Sequence, residues 1–245
     1  MSPKEVTELV TAIAALIGVL AWPVAFASIL FLLRKELKQI AVKIPSALDR
    51  VQTVKIGAVV AQLKELADKA VVNDGEGGDV TAEQVHVAVN LQVQADLIGK
   101  GKLLAQMDRL SIEYDTIRRA MSGGSKRTSQ MTKILVQMRG LGRSVSDHID
   151  VYKSSGSAGS RLAAIAMMQM EPQKADIPWL IERFKSEAPF VFYHAALALQ
   201  NSANSATALE RDSVIEAAKS ALRVINSFSG IPDPNTIHVL ESLLK

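Results

Sequence analysis

The chain has no cysteine among its 245 residues, which removes disulfide frameworks, thiolate nucleophiles, thiolate zinc sites and iron–sulfur ligation together. Aromatic residues make up 4%, so neither an aromatic-rich strand architecture nor a base-stacking surface is indicated. A large excess of charge of one sign is also missing, with 28 Lys and Arg against 25 Asp and Glu. A net charge of +3 spread along the whole length, without a long basic block, argues against nucleic acid as a partner. No H-E-x-x-H, no G-x-S-x-G and no complete phosphate loop occurs, and the four histidines (His86, His148, His194, His238) fall at no metal-ligand spacing. The sequence therefore predicts no enzyme, no catalytic residue, no metal site and no cofactor, and it leaves a small-molecule ligand unknown.

What is present is concentrated at the start. Leu9 to Leu33 is a stretch of 25 positions without a charge. As a helix it would measure about 37 Å at 1.5 Å per residue, more than the roughly 30 Å hydrocarbon core of a bilayer. Pro23, beside Trp22, would kink it near its middle, as membrane helices tolerate. A cleaved signal peptide fits less well, because the run continues through Ile29–Leu33 beyond the small residues Ala25 and Ala27. Arg34, Lys35, Lys38 and Lys43 follow, opposed only by Glu36. The positive-inside rule then places the C-terminal bulk in the cytoplasm and the N-terminus outside, in a single-pass protein of the cytoplasmic (inner) membrane. The lipid bilayer is accordingly the first partner predicted, with Trp22, Pro23, Arg34 and Lys35 as anchor residues.

The remainder reads as all-α. Residues 1–35 form the anchor segment and 36–80 a juxtamembrane part. In the latter, Leu48, Val51, Val54, Val59, Leu63 and Leu66 make an amphipathic helix ahead of an acidic turn, Asn73–Asp79. Positions 51–57 are β-branched enough to fit a strand as well as a helix. The carboxylates of that turn lack the alternation of an EF-hand. Residues 81–155 form a helical linker domain: Thr81 with Gln84 resembles a capping box, Gly99 and Gly101 mark a break, and a basic glycine-rich turn, Ser122–Thr128, precedes a helix from about Ser129 to Arg139 that Gly140 and Gly142 close. A shorter helix then runs from Val145 to Tyr152.

Residues 156–245 carry an internal repeat. Arg161-Leu-Ala-Ala-Ile-Ala-Met167 matches Tyr193-His-Ala-Ala-Leu-Ala-Leu199 at an offset of 32, and each copy precedes a second amphipathic helix. Paired helices at this period suggest a short HEAT-like α-solenoid. The contact residues this pattern nominates are Lys126 and Arg127 at a helix entrance, and Arg161, Tyr193 and His194 at the repeat starts.

Three local patterns occur in a telling order: Leu20-Ala21-Trp22-Pro23 with Leu33-Arg34-Lys35-Glu36-Leu37; Met121-Ser122-Gly123-Gly124 with Arg127-Thr128 and Met131; and Pro189-Phe190-Val191 leading into Tyr193–Leu199. In these the chain resembles bacterial single-pass membrane-anchored proteins with a C-terminal HEAT-like helical module, of the kind found in conflict and antiphage systems. The resemblance implies a non-catalytic sensing or assembly platform with a protein partner or self-association. A pore formed by association of the membrane helix is the alternative, with Ala12, Ala14, Ala15 and Gly18 as the small residues that would let helices meet.

Overall fold

The computed structural model describes residues 53–72 and 78–245. The expected span, with Trp22, Pro23, Arg34 and Lys35, lies outside the described residues, as does most of the acidic turn. Among the described residues no helix is long and apolar enough to cross a membrane. The chain divides into two units, Met1–Thr53 and Val54–Lys245. The second is all-helical, with no strand among its described residues, as the composition predicts.

Among the described residues ten α-helices follow one another: α1 (residues 53–72), α2 (Ala82–Ile98), α3 (Lys100–Ala120), α4 (Ser125–Val145), α5 (Ile149–Lys153), α6 (Ala158–Met170), α7 (Ile177–Ser186), α8 (Pro189–Ser205), α9 (Ala208–Asn226) and α10 (Pro234–Ser242). The stretch that could have been strand or helix is helical from residue 53 onward. α4, α6 and α8 form the inner row: α4 packs on α6 and α6 on α8, α2 and α3 cover α4, and α7, α9 and α10 cover α8. A single apolar core runs from Val59 in α1 to Leu240 in α10 and Leu243 just beyond it.

Local chemistry sets the boundaries. Thr81 Oγ1 accepts from Gln84 N at 3.2 Å and starts α2. The reciprocal half of the expected capping box is not made by Gln84, whose side-chain carbonyl faces Arg139 instead. Gly99, at φ 91°, separates α2 from α3. Ser157, Asp176 and Asp233 accept from Ser160 N, Trp179 N and Thr236 N at 2.9–3.1 Å, satisfying first-turn amides of α6, α7 and α10. Thr207 and Glu210 form a complete capping box on α9.

The expected helix Ser129–Arg139 begins earlier and ends later. Gly140 and Gly142 do not close it, because α4 continues to Val145. Both glycines lie in the helix interior for reasons of space. A Cβ on Gly140 would collide with the Leu63 side chain of α1, and one on Gly142 would press on α6 at Met170 and the Ala166 carbonyl. The roughly 1 kcal/mol that glycine costs inside a helix is offset by the packing it admits. Gly159 serves a similar end, since a Cβ there would fall on the Ser111 carbonyl of α3.

The repeat corresponds to α6–α7 and α8–α9. Ala163, Ala164 and Ala166 of α6 and Ala195, Ala196 and Ala198 of α8 are all fully buried, which lets the inner helices come close.

Candidate functional site

The most unusual group in the molecule is Arg139, which is fully buried at the middle of the inner row. Its Nε donates to Gln169 Oε1 at 2.7 Å, Nη1 to Gln84 Oε1 at 3.3 Å and Nη2 to the Gly78 carbonyl at 3.0 Å. Gln169 passes the connection on, donating to the His194 carbonyl at 2.7 Å, while Asn201 Nδ2 donates to the Gln169 carbonyl at 3.1 Å. One guanidinium thus ties together α2, α4, α6 and α8 through amides whose lone pairs it occupies. Such a network fixes a unique packing arrangement when its members are satisfied.

His194 lies beside this network with no exposed surface and with neither ring nitrogen hydrogen-bonded. Phe190 meets its ring edge-on at 4.6 Å and Tyr193 does so at 5.1 Å. Burial, with repulsion from Arg139, holds the imidazole well below its ordinary pKa. A neutral ring packed among aromatics is a core residue here, so the sequence-nominated His194 does not face outward.

Arg161 is also occupied. Its Nε pairs with Glu187 Oε1, its Nη1 donates to the Ser155 carbonyl at 3.1 Å, and Arg183 approaches the same carboxylate oxygen at 3.5 Å. Arg183 in turn sits 4.4 Å above the Trp179 ring. This largely buried Arg–Glu–Arg group clamps α6 to the end of α7.

At the other end of α4, Arg127 Nη1 folds back to donate to the Met121 carbonyl at 3.2 Å, capping the C-terminus of α3. Lys126 is exposed. Tyr193 and Thr128 meet at an open cavity of about 180 Å³, lined also by Pro189, Phe190 and Asp233. Of the five nominated contact residues, therefore, Tyr193 shares a cavity with the first turn of α4, Lys126 stays at the surface nearby in sequence, and Arg127, Arg161 and His194 are committed to packing or pairing.

Further hollows among the described residues include these two. One, of about 330 Å³, is lined by Gln169, Asn201, Asn204 and Ser205; the other, about 180 Å³ and mostly apolar, lies between Phe192, Ile225, Phe228 and Ile231. The second is also lined by Asp233 and Thr236, whose hydroxyl donates to the carboxylate at 2.6 Å at the start of α10. Among the described residues no group of three or more histidines and carboxylates is placed to hold a metal ion. Asp147 is held down to about 2 by Lys100 at 2.6 Å, then by Lys174 at 3.1 Å; exposed on the 3₁₀ turn before α5, it forms a surface charge cluster with them.

Arg139 was beyond the reach of sequence reading. The available signal was an arginine within a run of apolar and small residues, Ile134 to Leu141, but its amide partners lie 55 residues before it and 30 after it. Compared with known protein families, with curated proteins and with solved structures, the chain matches none.

Proposed function

We propose that this chain is a membrane-tethered, non-catalytic interaction protein: an N-terminal span holds it at the inner membrane, and the helical unit presents a surface for a protein partner on the cytoplasmic side. The observation that carries the reading is the uncharged stretch Leu9–Leu33, followed at once by Arg34 and Lys35, in a chain whose described residues fold as helices. The pairing of Arg139 and Arg161 between helices and the burial of His194 support it further, because these three groups are taken up by packing and pairing. The pairs α6–α7 and α8–α9 favour a short HEAT-like stack within that unit, and the resemblance to membrane-anchored conflict-system proteins favours a bacterial defence role.

Protease treatment of spheroplasts containing the full chain, tagged at its C-terminus, tests the arrangement. The reading expects the tag to be protected until the membrane is permeabilised, and affinity purification in mild detergent to recover a protein partner or further copies. A tag digested in intact spheroplasts would reverse the orientation.

The second reading, a membrane pore, is favoured by the small residues Ala12, Ala14, Ala15 and Gly18 on the same stretch. It expects loss of membrane potential on expression, read with a potential-sensitive dye. An intact potential at high expression removes a constitutive pore.

A further inference from the structure

The segment between α9 and α10, Ser227-Phe-Ser-Gly-Ile-Pro-Asp233, carries two large apolar residues that the core does not take in: Phe228 is 45% exposed and Ile231 98%. Phe228 stacks on Phe192 of α8, with ring centroids 6.0 Å apart and an interplanar angle of 15°, and Phe192 in turn meets Phe184 of α7 at 5.9 Å. A ring stacked in this way is held without being covered, and with Ile231 it walls the mostly apolar hollow of about 180 Å³. Pro189, in the first turn of α8, lines this hollow and also the open cavity of Phe190 and Tyr193, again about 180 Å³, so the two adjoin.

Asp233 lines both hollows and is the one charged residue, among the described residues, that lines either. Its hydrogen bonds, from Thr236 N at 2.9 Å and Thr236 Oγ1 at 2.6 Å, both fall on Oδ2. Oδ1 is left without a hydrogen bond, and no lysine, arginine or histidine among the described residues pairs with the carboxylate. Pro234 confines the residue before it to extended backbone, and Asp233 sits there at φ −63° and ψ 119°. The chain itself therefore fixes the carboxylate in place, with no cation to neutralise it. A cation entering beside it would be attracted by the carboxylate and by the aromatic rings, whereas an anion would be repelled by the same charge.

We propose that these adjoining hollows bind a small amphipathic organic cation, with its ammonium group beside Asp233 and an aromatic or branched apolar body against Phe228 and Phe192. Volume sets the size of the body. An apolar cavity of roughly 150 Å³ is enough to take up benzene, and the hollow beside Phe228 holds about 180 Å³. Charge sets the class of the head group: a neutral ligand would leave the carboxylate idle, and a fatty acid would bring a second negative charge against it. Phe190 and Tyr193, in the second hollow, add rings of the kind that receive quaternary ammonium groups. Space for one ring and one ammonium fits a small molecule. The site adds a ligand to the interaction reading and uses no residue of Leu9–Leu33, so it stands independently of the tether.

Calorimetric titration of the full-length chain in an uncharged detergent, with protein-free micelles as the blank, tests this with three probes of similar size: benzyltrimethylammonium, benzyl alcohol and phenylacetate. The ammonium is expected to bind at least about tenfold more tightly than the alcohol, and phenylacetate more weakly than either. Asp233→Asn keeps a side-chain oxygen for the Thr236 amide, since Asn starts helices about as well as Asp, and should bring the ammonium down to the level of the alcohol without moving the alcohol. If Asp233→Asn lowers the helical circular-dichroism melt, Asp233→Ser, another good cap, replaces it. Phe228→Leu, at a half-exposed position, should weaken the ammonium and the alcohol alike, by at least about threefold. No saturable binding of the ammonium, equal affinities for the three probes, or an ammonium preference that survives the change at Asp233 overturns the proposal. Each of these results leaves the tether untouched.

Discussion

His194 shows how burial decides the chemistry of a residue. In the unfolded chain it titrates near its ordinary value of 6.5, while burial and the nearby Arg139 keep it neutral in the fold to a much lower pH. Below pH 6.5 the unfolded chain therefore binds a proton that the folded chain refuses, and stability falls as pH falls, at up to about 1.4 kcal/mol per pH unit from this group. Denaturant melts at pH 7 and pH 5 should show this loss in the natural chain and a smaller one in His194→Leu, which also leaves no hydrogen bond broken because neither ring nitrogen has one. An identical pH dependence in both proteins would contradict the assignment. At the Arg161–Glu187–Arg183 group, removing the shared carboxylate leaves two largely buried cations facing each other. Glu187→Ala is expected to cost about 3 kcal/mol, and Arg161→Met in the same background to recover part of it, in a double-mutant cycle of urea melts.

At the scale of elements, the contact between α1 and α4 includes a knob and a hole, Leu63 over Gly140, beside the Asp68–Lys133 ion pair. Leu63→Ala should cost about 2–5 kcal/mol and Gly140→Ala about 1–3 kcal/mol, but the pair together should cost less than their sum, since the new methyl enters the space the leucine leaves. Strict additivity would mean the two do not touch. The helices themselves are legible because their signals are local: Thr81 starting α2, Gly99 ending it, and the alanine-rich cores of α6 and α8. Gly140 and Gly142 were misread because a glycine that ends a helix and one that admits a neighbour look the same until the neighbour is known. The nominated contact residues fared unevenly for the same reason. Arg161 and Arg127 are surface-like in sequence and are claimed by Glu187 and by the Met121 carbonyl, 26 and six residues away. Local spacing predicts which face an arginine occupies but not which distant group is waiting for it.

Across the described helical unit, one core joins α1 to α10, and within it Arg139, Gln169 and Asn201 are tied to one another. The tether is the part of the account on which the proposed role depends, and solvent preference measures it directly. Full-length protein expressed in bacteria, released by lysis without detergent and spun at high speed, should pellet with the membranes, resist extraction by alkaline carbonate and dissolve in mild detergent. Recovery of the intact chain in the supernatant as a dispersed monomer would contradict the account.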